Sequence, residues 1–344
     1  MKPLRTAILG CGRFARRHVI HLAALDEISL VGFCSASFES ADNYNQEFAQ
    51  GKGRVFTDYE QLFTDLELDL VYVCLPPFAH RNEVELACQY GVNLLIEKPI
   101  ALNMELALRM EKQVRESGIK CQVGFMYRFG KAALWLKNYL QQSPSGERGF
   151  MTARYACNFL HSWWWRDKAR SGGQLVEQVI HIIDLARFFL GEPIKVYSMQ
   201  DNMFHRSDGE YTSEDTSATV IRFESGGLAT ISATNGAIPN RWDYDWRFFT
   251  SDLTADFSDA NHAVFHHTTE KDLPEITIAA EDDLYLAETL DLLAAIREDR
   301  DPAVSIEEGV LSLKLALAAA QAGEQDAPVS LEPPVEVRSS REVE

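Results

Sequence analysis

The chain has 344 residues, 46% of them hydrophobic and 24% charged, with a formal net charge of -18; it can bury a substantial core, and its length favours two domains. The acidity argues against bare nucleic acid or an anionic membrane as the main partner, since either calls for a basic surface. No apolar run approaches the roughly 20 residues of a membrane helix, and the opening MKPLRTAILG is too short in its apolar part for a signal peptide.

Taken in chain order, strand-like runs near residues 5–9, 29–34, 54–56, 70–74, 93–96 and 120–124 alternate with helical patterns at 14–25, 39–50, 80–90 and 104–117. Such alternation predicts a doubly wound parallel sheet of the Rossmann type, whose ligands sit at the carboxyl ends of the strands. After about Phe125 the rhythm changes. A helix at 131–141 leads through SPSGE to a strand at 151–158, and a long helix follows at 173–190. Strand-like runs at 194–203, 217–223, 228–234 and 245–250 then predict an α+β domain on a large, mostly antiparallel sheet, closed by helices at 283–298 and 306–322. The expected domains are 1–125 and 126–330, with a charged tail at 331–344. Part of the acidity is local, at Glu281, Asp282, Asp283, Glu342 and Glu344.

The first candidate site is LGCGRFARRHV, residues 9–19. Gly10 suits a tight turn, Gly12 lets a pyrophosphate approach the backbone, Arg13 and Phe14 open the helix, and Ala15 allows close packing of helix on strand. The helix start offers free N–H groups and the positive end of its dipole. A plain turn is the alternative. The second strand ends in FCSAS rather than in an acid, so Ser35 and Ser37 either bond a ribose or a 2'-phosphate or merely close a turn. Their neutrality permits NADP, and the reading leans slightly that way.

VYVCLPPFAH ends its strand at Leu75 and Pro76 and predicts a helix carrying His80. VNLLIEKPI puts Glu97 and Lys98 at the end of a buried strand, with Pro99 biasing Lys98 toward an extended backbone. The lysine points either into the cleft or to solvent. The six cysteines form no metal-ligand spacing, and five of them, in or beside apolar segments, read as reduced, buried thiols, which makes the cytoplasm the expected compartment. The pair His266/His267 lacks a plausible ligand set, so no metal is expected.

GCGxxA, the proline-bearing turn before His80, EKP, GFMYRF (124–129) and GGQLVEQVIHIIDLARFFLG (172–191) together resemble the Gfo/Idh/MocA oxidoreductases, named after glucose/fructose oxidoreductase, inositol dehydrogenase and a rhizopine catabolism protein. The resemblance spans essentially the whole chain. It implies nicotinamide-dependent oxidation and reduction of sugars, inositols and related polyols, an active-site lysine at Lys98 and an active-site histidine at His181. It also implies a substrate site lined by the segment before the double glycine, and a homodimer or homotetramer. The family's usual aspartate falls on Glu177.

Glu177, His181 and Asp184 stand at i, i+4 and i+7, one face of an otherwise apolar helix. Three ionisable groups there need pairing or a cleft, so they form either a buried network or a catalytic one. In the catalytic reading His181 is the general acid or base and Lys98 stabilises the developing oxyanion. Glu177 orients His181 or bonds a neighbouring hydroxyl, and Asp184 takes a substrate hydroxyl or sets the histidine tautomer. Trp163, Trp164 and Trp165 with Arg166, and Tyr127 with Arg128 upstream, suit a polyol ring and its hydroxyl rim, although some of these tryptophans can equally be core. Arg166, Tyr127 and Trp165 are the expected substrate contacts. Two other readings stand beside the dehydrogenase: a sensor that binds the dinucleotide without turnover, which the pair Lys98 and His181 disfavours, and an NAD-dependent glycosidase.

Overall fold

The structure, a computed structural model, describes residues 2–143, 148–158, 162–269 and 272–331. The SPSGE turn, His161 and the acidic tail fall largely outside these. Six parallel strands, β1 (Leu4–Leu9), β2 (Ile28–Cys34), β3 (Arg54–Phe56), β4 (Leu70–Val73), β5 (Asn93–Ile96) and β6 (Cys121–Val123), stand in the order β3-β2-β1-β4-β5-β6. The strand order reverses between β1 and β4, which opens a crevice at their carboxyl ends. Leu70, Val71, Tyr72 and Val73 are all fully buried, as a central strand covered on both faces requires.

Helices α1 (Ala15–Ala24), α2 (Phe38–Ala49), α3 (Tyr59–Asp65), α4 (Glu83–Tyr90) and α5 (Met104–Ser117) fill the crossovers. Helix α1 buries Ala15, His18, Val19 and Leu22, one apolar face interrupted by a histidine. The short helix α3, which periodicity does not predict, is capped by the Asp58 carboxylate accepting from the Glu60 N–H. His80 is not helical, contrary to the sequence reading. Pro77–Ala79 forms a 3-10 turn, His80 follows in extended backbone, and α4 begins only at Glu83 because the two prolines delay its start.

The second half contributes α6 (Lys131–Gln142), β7 (Phe150–Cys157), α7 (Trp163–Arg166), α8 (Lys168–Ser171) and α9 (Ile180–Leu190). Strands β8 (Pro193–Asp201), β9 (Thr216–Phe223), β10 (Leu228–Thr234), β11 (Trp242–Phe249), β12 (Leu253–Phe257), β13 (His262–His267) and β14 (Ile276–Ala279) follow, then α10 (Leu284–Glu298), α11 (Ile306–Gln325) and β15 (Val329–Ser330). They build a nine-stranded sheet in the order β14-β13-β12-β11-β7-β10-β9-β8-β15, antiparallel except where β7 runs parallel to β10. Helix α9 packs on β7 and β10, and alternate residues of β9 are exposed on the opposite face.

The predicted helix at 173–190 is not uniform. Leu175–Val179 is a single π turn, and α-helical geometry begins only at Ile180. Helix α10 returns to the first sheet, where Leu292 and Leu293 join a core with Ile8, Val19 and Leu22. The two halves therefore share buried surface, and the closing helices serve both.

Candidate active site

At the end of β1, Gly10 adopts a φ of +97°, and a Cβ there would lie 2.4 Å from the Cys74 carbonyl oxygen after β4. Only glycine permits that approach. A Cβ on Gly12 would meet nothing within 4 Å, so the turn leaves open space beside the start of α1. The Tyr44 hydroxyl donates to the Gly12 carbonyl at 2.5 Å and anchors the turn from α2, while Ala15 is buried against the sheet. An open turn, a tight crossing and a helix N-terminus together fit a dinucleotide pyrophosphate.

At the end of β2, the Ser35 N–H donates to the Phe56 carbonyl, and the Ser37 hydroxyl accepts from the Ser40 N–H as the cap of α2. Both serines therefore also serve the turn, as the plainer reading expects. Leu75 and Pro76 are half-buried after β4. His80 is buried, its Nδ1 2.6 Å from Glu83 Oε1.

The centre of the site lies after β5. Glu97 is buried, and the peptide between Lys98 and Pro99 is cis. The Lys98 side chain is only 7% exposed; its Nζ donates to the Glu177 carbonyl oxygen at 2.7 Å and to Glu177 Oε1 at 3.2 Å. Phe14 stands beside it, the ammonium 6.0 Å from the ring centre. On the other side of Glu177, Trp165 Nε1 donates to Oε2 at 2.7 Å. The glutamate is thus fixed through both oxygens.

His181 lies one turn further on, packed against the rings of Tyr127 at 5.2 Å and Phe125 at 6.2 Å. Burial, helped by the nearby Lys98 charge, pushes its pKa well below 6.5. A neutral imidazole is therefore the resting form at neutral pH. Its Nδ1 is buried and has no hydrogen-bond partner among the described residues. Such an orphaned ring nitrogen near a held ammonium suits a site completed by a ligand.

The other expected residues divide. Tyr127 reaches the centre, but as a buried ring stacked between His181 and Tyr244. Trp165 is 1% exposed and presents its N–H to Glu177, so it positions the carboxylate and has little surface to offer a sugar face. Arg166 turns toward Asp208, at 3.6 Å, and its carbonyl accepts from the Thr212 and Ser213 N–H groups.

Asp184 departs most from expectation. Its oxygens accept from Arg128 Nε at 2.8 Å, Arg128 Nη2 at 2.7 Å and the Ser312 hydroxyl at 2.7 Å. No described contact joins it to His181. Glu308 on α11 then links Arg128 to Arg187, so Asp184 is bound into a buried arginine network rather than to the histidine that the buried-network reading of this helix face pairs it with.

Sequence reasoning passed over Phe78 and Arg170. The Arg170 guanidinium sits 4.5 Å from the Trp163 ring centre and 5.3 Å from that of Phe78, joining the turn after β4 to α7. It also passed over His18, whose signal was a histidine at i+3 of the buried α1 face that Ala15, Val19 and Leu22 complete at i, i+4 and i+7. His266 pairs with Glu275 at 2.8 Å.

A Rossmann crevice with an open glycine turn, beside a buried lysine–glutamate pair and a neutral histidine, is the arrangement of a nicotinamide-dependent oxidoreductase with a second sheet domain. Residues 4–125 match the oxidoreductase family with the NAD-binding Rossmann fold, 134–254 the GFO/IDH/MocA C-terminal domain, and 251–331 the family's C-terminal alpha/beta domain. The chain belongs to the Gfo/Idh/MocA oxidoreductase family. It is 24% identical to the myo-inositol 2-dehydrogenase of Thermotoga maritima, over 96% of this chain and 99% of that protein. It is 27% identical to the scyllo-inositol 2-dehydrogenase (NAD(+)) of Bacillus subtilis, over 67% of each. In fold it resembles an oxidoreductase from Agrobacterium radiobacter solved with NAD+, L-tartaric acid and magnesium, with a TM-score of 0.82 at 16% identity, covering 96% of this chain and 98% of that one.

Proposed function

We propose that the protein moves a hydride between a nicotinamide cofactor and a hydroxyl or carbonyl of a sugar, inositol or related polyol. The observation that carries this reading is the Lys98 ammonium held at Glu177 beside a neutral His181 whose Nδ1 is unpartnered. Gly10, Gly12, Arg13, Phe14, Ala15, Ser35, Ser37, Leu75, Pro76, His80, Glu97 and Lys98 would hold the dinucleotide, which would supply the hydride acceptor or donor. Neutral His181 accepts the hydroxyl proton in oxidation and returns it in reduction. Lys98 holds the same oxygen and stabilises its growing negative charge. Glu177, fixed by Trp165, sets the position of the ammonium. Tyr127 backs the His181 ring, and Arg166, with a side chain 30% exposed, is the expected polyol contact.

Residues 1–125 are the cofactor unit and 126–330 the substrate and assembly unit. The exposed sheet face, with Met199 at 62% and Val220 at 46% exposure, supports assembly as a homodimer or homotetramer. Six free cysteines accord with a reducing cytoplasm, and no described helix is long and apolar enough to cross a membrane.

The neutral Ser35 and Ser37 admit NADP as well as NAD. On the flanking elements, Arg16 is paired with Glu47 and Arg54 with Asp65, so any preference for NADP stays within about tenfold, roughly the value of one hydrogen bond. Steady-state rates with both cofactors on a panel of inositols, pyranoses and polyols test this. Turnover with a preference inside that limit is expected, whereas cofactor binding without turnover favours the sensor. Release of an aglycone without net cofactor change favours the glycosidase.

A further inference from the structure

A buried polar chain runs behind the Lys98 turn. His18, fully buried on α1, places Nε2 2.7 Å from Glu97 Oε1. Its Nδ1 lies 3.7 Å from Oε1 of Glu288, a fully buried residue of α10. Among the described residues, neither Glu288 oxygen nor His18 Nδ1 has a hydrogen-bond partner. The imidazole is flanked by Tyr72 and Tyr285, each at 5.3 Å. At the other end of the chain, Glu97 Oε2 accepts the Lys98 backbone N–H at 3.2 Å.

An ionised Glu288 with no partner in the core would be costly, and burial together with the Glu97 charge pushes its pKa well above 4.5. A neutral carboxyl therefore stands 3.7 Å from His18 Nδ1. Burial is the largest influence on Glu97 and works against its charge, but His18 and Lys98 together outweigh it and hold that pKa below 4.5. Glu97 is thus held through both oxygens, Oε1 by His18 Nε2 and Oε2 by the Lys98 peptide N–H.

We propose that His18 and Glu288 are positioning residues for the reaction: they fix Glu97, and through its bond to the Lys98 peptide they keep the Lys98 ammonium on Glu177 beside His181. This rests on the assignment of Lys98 to the reaction centre. The arrangement also couples α10, which follows the second sheet, to the cofactor turn of the first.

The test compares full-length His18→Ala, His18→Gln, Glu288→Leu and Glu288→Gln with the parent. The rate at which acetic anhydride acylates Lys98, read by mass spectrometry of the ligand-free protein, reports directly on the ammonium. Thermal melting checks the fold. His18→Ala and Glu288→Leu should acylate about tenfold faster, the loss of about one hydrogen bond's worth of restraint. Their kcat on the fastest panel polyol should fall by about the same factor, with KM for the cofactor within about twofold. Glu288→Gln, a neutral isostere, and His18→Gln, which keeps a donor toward Glu97, should recover most of both losses. Folded His18→Ala or Glu288→Leu protein with parental acylation overturns the proposal; if the alanine variant fails to fold, the Glu288 pair decides. Full turnover by Lys98→Ala would instead overturn the reaction-centre assignment, and the acylation comparison would still judge the positioning.

Discussion

Lys98→Ala and His181→Ala should each lower kcat by about 10² to 10⁴, the range of one positioned general acid–base group or one oxyanion donor, while cofactor affinity changes little. The expectation follows from their placement. Neither group is needed to hold the glycine turn, which Gly10 and Tyr44 fix from other elements. The double variant should cost far less than the product of the two single effects, because both act on one oxygen. Initial rates over pH add a sign. His181 is held neutral well below 6.5 by burial and the Lys98 charge, so its base form persists as pH falls below 6.5. In Lys98→Met the second cause is gone, and the acid limb of kcat/KM should move upward. A limb that stays in place would mean that another group is the base.

The second large effect is on stability. Asp184→Ala should destabilise the fold by about 3–5 kcal/mol, the cost of leaving a buried charge without its partner. Arg128 would lose its bidentate carboxylate and Ser312 its acceptor, and the buried guanidinium would be left with Glu308 as its one described carboxylate partner. Denaturant unfolding measures this. A stable Asp184→Ala protein with a raised KM for the polyol would restore the role of Asp184 as a substrate ligand.

The alternation of strands and helices up to Val123 was legible because each buried strand is a short apolar run between punctuating residues. The glycine turn was legible for the same local reason, and Lys98 because a lysine directly after a buried strand has few places to go. What was not legible depends on groups far apart in the chain. Lys98 meets Glu177 across 79 positions, Arg128 meets Asp184 across 56, and Ser312 meets Asp184 across 128. Residues 177, 181 and 184 do line up, but spacing cannot tell which of them faces a cleft and which an arginine. The π turn at Leu175–Val179 escaped because a helix that is apolar all round carries no phase for the eye to follow. Trp165 was read by its ring, while the structure uses its N–H. His80 was read into a helix that two prolines delay.

The shared polar chemistry of the two halves explains why the closing helices matter to the site. Helix α11 supplies Glu308 and Ser312 to the network under α9, and α10 supplies Glu288 to the cluster behind Lys98. The proposed reaction centre is thus braced from both sides of the crevice by α10 and α11.

The most direct measurement is a crystal structure of the protein with a nicotinamide cofactor and a polyol that it turns over. The account predicts one substrate oxygen within about 2.6–3.2 Å of both Lys98 Nζ and a His181 ring nitrogen, with the nicotinamide against the same carbon. A polyol bound with those two nitrogens on different oxygens, or a cofactor lying away from the Gly10 turn, would contradict it.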